Sequence, residues 1–156
     1  MYNIMTGLSC ENIEIEKGMA MTGYLGRISA AEGIHDQLKI KCVVFDDGKT
    51  CAAYVVCDLL GLSSEFLKET ADFTEEITSI PANNIIVACT HTHSGPASIF
   101  LRHCGEVDTK WMQRLKYSIA RCVKNAKQNL EPSVLTYSTG SSAINMNRDT
   151  VVKEDA

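Results

Sequence analysis

The sequence predicts an α/β fold: a mixed β-sheet with packed helices. Two observations carry this. A strand pair over residues 38–46 and 51–58 brackets Asp46-Asp47-Gly48-Lys49, and Asp-Gly favours a tight hairpin turn. Two amphipathic segments then alternate with short apolar runs, the pattern of helices crossing over between strands. The hairpin is antiparallel and the crossovers are not, so the sheet is mixed.

The elements follow in order. Residues 11–16, Glu-Asn-Ile-Glu-Ile-Glu, alternate as a half-buried strand does. Residues 17–37 hold Gly18, Gly23, Gly26 and Gly33, a long loop whose glycines suit positive φ or close backbone approach. The stretch 38–46 begins in alternation and ends apolar. Residues 51–58 are almost continuously apolar, which predicts burial on both faces. Ser63 or Ser64 caps a helix to about Ile77, with Phe66, Leu67, Thr70, Phe73, Thr74 and Ile77 at helical spacing and Pro81 as the stop. Residues 84–89 form a short central-type strand. Asp108 or Thr109 caps a second helix, with Trp111, Met112, Leu115, Ile119, Cys122, Val123, Ala126 and Leu130 as its apolar stripe and Pro132 at its end. Residues 133–138 are a last strand. The order is β, loop, β-hairpin, α, β, α, β over a single domain, 1–156.

Bulk properties narrow the function. A net charge of −4 and no basic stripe argue against nucleic acid as partner. No apolar run reaches the ~18 residues that suggest a membrane span, and no basic-then-apolar leader opens the chain, so a cytoplasmic location is expected. The seven cysteines are odd in number and contain no Cys-x-x-Cys, so they read as small core residues in a reducing compartment, not as a disulfide framework. No Gly-x-Gly-x-x-Gly joins a strand to a helix, which disfavours a dinucleotide fold.

The strongest chemical signal is His91-Thr92-His93-Ser94-Gly95-Pro96, directly after the 84–89 strand. Residues two apart in extended chain share a side, so both imidazoles can converge on one metal or on a metal and its reacting water. Carboxyl ends of strands are where sites gather in crossover sheets. The bland alternative is a pair of hydrogen-bonded loop histidines. Asp58, at the end of an apolar strand, is either a backbone acceptor or a partner that orients a histidine. His35-Asp36 is a polar site pair or an exposed loop, His103 reads as a surface residue, and Arg148 as a tail residue.

Several segments together resemble a known family. They are Gly18 to Gly26 (Gly-Met-Ala-Met-Thr-Gly-Tyr-Leu-Gly) followed by Arg27, Gly33-Ile34-His35-Asp36-Gln37-Leu38, Asp58-Leu59-Leu60-Gly61-Leu62, Thr90 to Pro96, and Ile144-Asn145-Met146-Asn147-Arg148. In this order they resemble the N-terminal domain of neutral/alkaline non-lysosomal ceramidases and their bacterial relatives, across nearly the whole chain. The resemblance implies a zinc-dependent amide hydrolase acting on an N-acylsphingosine or related lipid-like amide. It implies His91 as zinc ligand, His93 as the active-site histidine beside it, and His35, Asn147 and Arg148 as residues that line the pocket. The family's other ligands (a second His, a Glu and a Tyr) and its catalytic Ser lie farther along a longer chain and match no residue here, and Asp149 stands where the family pattern has a second Arg. The expected protein is thus an amidase domain incomplete by itself. The alternatives are a non-catalytic module that binds a small ligand or protein partner, and a homo-oligomer in which His35, His93, Asp58 or His103 of a neighbouring copy completes the site.

Overall fold

The computed structural model describes residues 4–27 and 29–144. Five strands form one mixed sheet: β1 Ile4–Asn12, β2 Lys39–Asp46, β3 Cys51–Cys57, β4 Ile85–Cys89 and β5 Glu131–Ser133. Their spatial order is β4-β3-β2-β1-β5. Only the β3–β4 pair is parallel, and helix α1, Ser64–Thr78, is its crossover. Helix α2, Thr109–Gln128, connects β4 to β5 and packs across β1 and β2, with α1 beside it. The sequence-predicted fold class is the observed one.

The hairpin turn forms for the reason its sequence suggests. The Asp46 carboxylate accepts from Gly48 N at 2.7 Å, and the Asp47 carboxylate from Lys49 N at 2.9 Å and Thr50 N at 2.7 Å, with Gly48 at φ 82. Ser63 caps α1 by accepting from Phe66 N at 3.2 Å. The buried stripe of α1 is Phe66, Thr70, Thr74 and Thr78. Each of these threonines donates to the carbonyl four residues back at 2.6–2.7 Å, which lets a hydroxyl sit in the core. Ile77, expected on the stripe, is exposed. Asp108 caps α2 by accepting from Lys110 N and Trp111 N, and these donors hold its carboxyl below the usual carboxylate range. Trp111 is fully buried and its indole N–H reaches Glu14 O at 2.7 Å, so its one polar atom is satisfied in the core.

Three expectations need correction. The first strand is Ile4–Asn12, not 11–16. Residues 11–16 alternate because Ile13 and Ile15 pack on the core as the chain leaves the sheet, whereas Gly7 breaks the alternation inside the true strand. The last strand is Glu131–Ser133, paired with Ile4–Thr6. It begins at Glu131 because α2 already stops at Gln128, and Pro132 is tolerated on an edge strand. Finally, β3 is buried on one face only. Rows Gly7–Val44–Ala53–Ile85 and Ser9–Cys42–Val55–Val87 lie under the helices, while the row Leu8–Val43–Tyr54–Ile86 lies on the open face, where Leu8, Tyr54 and Ile86 are exposed.

The helix-covered face also collects Cys42, Cys57 and Cys122, all buried. Burial pushes the Cys42 thiol up from 9.0 to about 12 and that of Cys122 to about 11, and raises Cys57 further. Their folded-state pKa values lie above the unfolded value, so the neutral thiols favour the fold fully below pH 9, and that contribution drains away as pH rises toward 12. Urea midpoints should therefore fall between these limits, and the fall should be shallower in Cys42→Ala; an unchanged pH profile in that variant would contradict the assignment.

Candidate functional site

The site is built on the end of β4. Cys89 pairs with Cys57, and the ladder runs on past both strands: Thr90 N donates to Cys57 O and His91 N to Leu59 O, each at 3.0 Å. This carries His91 alongside Leu59 and Leu60, which are buried and hold the backbone still. His91 adopts φ 62, a left-handed conformation uncommon for a non-glycine residue. The two imidazoles come together as expected, with ring centroids 5.0 Å apart and planes at 72°. The cause is not the expected one, however, because the chain turns at His91 instead of running extended through it.

One hydrogen bond decides what His91 can do. Its Nδ1 lies 2.9 Å from Leu60 O. A carbonyl only accepts, so Nδ1 carries the proton. The neutral ring then keeps its lone pair on Nε2, the form that ligates a metal, with the orienting partner already in place. Asp58 does not play that part. Its carboxylate accepts from Lys39 N at 3.0 Å, and its own N–H donates to Lys39 O, so of the two readings of Asp58 the backbone acceptor is the one observed.

The second wall comes from the glycine-rich loop. Gly23, at φ 106, lies against His93 so closely that a Cβ there would stand 2.7 Å from His93 Cα and Cβ. Tyr24 meets the His93 ring edge-on at 5.4 Å. The Arg27 guanidinium stacks over Tyr24 at 4.9 Å and its Nη1 reaches His93 O at 3.4 Å. Met21 pairs with Pro96, and Thr22 N donates to Gly95 O at 3.3 Å, so the loop is laced to the segment at His93, Gly95 and Pro96. Gly23, Tyr24 and Arg27 had no assigned role in the sequence reading. The available signal was the run of glycines, which marked close backbone approach without saying to what.

His35 sits elsewhere. Its side chain is exposed, its Nδ1 is 2.8 Å from Asp36 Oδ2, and it lines a cleft of about 480 Å³ with Ile34, Thr92 and Ser94. That cleft takes the alternate residues of the motif, whereas the aromatic contacts of His91 and His93 among the described residues are to each other and to Tyr24. Asn147 and Arg148 lie outside the described residues. His103 is exposed, and its carbonyl accepts from Gly26 N.

His91 fits zinc as one ligand, through Nε2. Among the described residues, though, no three His, Cys, Asp or Glu side chains converge as a metal cage.

Thr22 Oγ1 is fully buried and has no hydrogen-bond partner among the described residues. An orphaned hydroxyl costs roughly 1–3 kcal/mol. Thr22→Val should therefore raise stability by about 1 kcal/mol, seen as a melting temperature roughly 2–4 °C higher. A lower one would mean that the hydroxyl has a partner in solution.

Comparison with known proteins identifies the fold and the family. The family model for neutral/alkaline non-lysosomal ceramidase, N-terminal, matches residues 12–152. A crystal structure of neutral ceramidase from Pseudomonas aeruginosa superposes with a TM-score of 0.73 at 24% identity, over 85% of this chain and 22% of that one. A structure described as ceramidase complexed with C2 gives the same values. The chain thus spans about a fifth of the length of these solved ceramidases. With the family model covering residues 12–152, the chain belongs to the neutral/alkaline non-lysosomal ceramidase family, as its N-terminal domain.

Proposed function

We propose that this chain supplies the histidine part of a zinc-dependent amide hydrolase whose substrate is an N-acylsphingosine or a related amphiphilic amide. The observation that supports this best is the Nδ1–H···O bond from His91 to Leu60, which leaves Nε2 as a ready ligand 5.0 Å, ring to ring, from a second imidazole. Zinc, when bound, supplies Lewis acidity toward an amide carbonyl. The chain's own residues do the rest of its share. Leu60 fixes the His91 tautomer. His93 is half-buried between His91 and Tyr24, placed to accept or donate a proton at the reacting group. Arg27 braces His93 through its carbonyl. By family resemblance, His35 and Arg148 act in positioning substrate. The remaining zinc ligands come from residues beyond those described.

A second reading, a non-catalytic module that binds a small ligand or protein partner, draws on the absence of a three-donor cluster among the described residues. One experiment separates the two: zinc-dependent release of fatty acid from N-acylsphingosine by the chain, alone and combined with the C-terminal remainder of a family member. The amidase reading predicts activity only in the combination, abolished by His91→Ala or chelator. Activity that survives either treatment contradicts it, and inactivity together with failure to bind zinc supports the module.

A further inference from the structure

The face of the sheet turned away from the helices carries an apolar groove with one cation on it. Two rows of open-face positions build it: Leu8–Val43–Tyr54–Ile86 and, one step along the strands, Cys10–Lys41–Val56–Ala88. The groove has a volume of about 340 Å³ and is lined by Leu8, Cys10, Lys41, Val43, Tyr54 and Val56. That volume is within the range of small-molecule sites. Leu8 is 68% and Tyr54 43% exposed, so the apolar walls face water. A sheet face left to water is ordinarily polar. These two rows hold no acidic residue, and Lys41 is their one charge. The lysines that form ion pairs among the described residues are Lys68 and Lys116; Lys41 is exposed and not one of them. Lys39, two residues back along β2, gives its ammonium to Asn12 Oδ1 at 2.6 Å. Glu131, at the sheet edge beside Thr6, stands two rows from Lys41.

An apolar trough with an unpaired ammonium on its wall matches an alkyl chain with a negative head. Burial of the methylenes supplies most of the affinity, and the charge sets the orientation. One ammonium, with no arginine on either row, suits a singly charged carboxylate. A phosphate dianion calls for a second cation or a guanidinium fork. A second copy of the chain fits less well. The two rows span on the order of 300 Å² of sheet plane, against roughly 800 Å² per partner in a stable protein interface. We infer that this groove is a binding site for a fatty carboxylate, with the alkyl chain along Leu8, Val43, Tyr54 and Val56 and the head at Lys41. Such an anion is also what hydrolysis of an N-acyl amide releases, and the groove shares no lining residue with the histidine site. Under the function proposed above it would hold product apart from that site, whereas the binding itself does not depend on that function.

The test is isothermal titration calorimetry of the 156-residue chain with laurate below its micelle point, and with dodecanol, dodecylammonium and dodecyl phosphate. Laurate is expected to bind most tightly. Its affinity should exceed that of decanoate about fourfold, since each methylene half-buried in an open groove contributes roughly twofold. Lys41→Gln should weaken laurate about fivefold and leave dodecanol unchanged, and Leu8→Glu should weaken laurate roughly tenfold. Far-UV circular dichroism identical to that of the parent confirms that these exposed substitutions leave the fold intact. Cys10, exposed on the groove wall, locates the ligand: laurate should slow its alkylation, read peptide by peptide in a mass spectrometer, and leave Cys104 beside Tyr24 unaffected. Absence of laurate binding overturns the inference. So does equal binding of the alcohol or the ammonium, tighter binding of the phosphate, or laurate binding that does not protect Cys10. A dimer that Leu8→Glu dissociates and laurate does not would assign the face to a second copy of the chain and also overturn it.

Discussion

Gly7→Ala is expected to be among the most damaging single-methyl changes in this protein, lowering stability by about 3 kcal/mol, the upper end for overpacking a filled interface. A Cβ at Gly7 would lie 1.9 Å from Ala126 O, 3.0 Å from Ala126 C and 3.1 Å from Asn129 C. All three are backbone atoms at the C-terminal end of α2, where no side chain can swing aside. Relief requires α2 to lift from β1, and α2 carries Trp111, Leu115, Ile119 and Val123 into the core. At roughly 2–4 °C per kcal/mol for a chain of this size, the melting temperature should fall by roughly 6–12 °C. Thermal unfolding followed at Trp111 measures it, and a shift under about 2 °C would show that the helix end yields freely.

Gly23→Ala should produce the second large effect, and a local one. Its φ of 106 costs an L-residue of order 1–3 kcal/mol before any contact is considered. The added methyl would also overlap His93 Cα, Cβ and Cγ at 2.7–2.8 Å. The loop must move off His93, taking with it the Tyr24 edge contact and the Arg27 brace. The expected outcome is a loss of about 2 kcal/mol in urea unfolding together with a shift of the His93 ring resonances, while Trp111 fluorescence stays as in the parent. A variant with parental stability and unmoved His93 signals would mean that the loop does not rest on His93 in solution.

These two glycines also mark where sequence reading succeeds and where it stops. The hairpin was legible because Asp46, Asp47 and Gly48 make a local turn from their own side chains and backbone. The helices were legible through Ser63 and Asp108, which cap them, and through the stripe of Trp111, Leu115 and Ile119. Family motifs marked His91 and His93, and the structure brings their rings together. What could not be read depends on contacts distant in sequence. Gly7 is required by the carbonyl of Ala126, which obscured the true extent of β1. Gly23 is required by His93. The tautomer of His91 is set by Leu60, an apolar residue whose side chain plays no part in the bond. Tyr24 and Arg27 reach His93 where Met21 pairs with Pro96 and Thr22 N donates to Gly95 O.

The proposed function requires His91 to be a preset zinc ligand, protonated on Nδ1 and free on Nε2. Long-range nitrogen–proton NMR spectra of the four histidine rings, recorded before and during zinc titration of the chain, test it most directly. The account predicts that His91 starts as the Nδ1–H tautomer and that its Nε2 resonance shifts first as zinc is added, with a response that His91→Ala removes. An Nε2–H tautomer at His91, or zinc that moves His35 or His103 while His91 stays still, would contradict it.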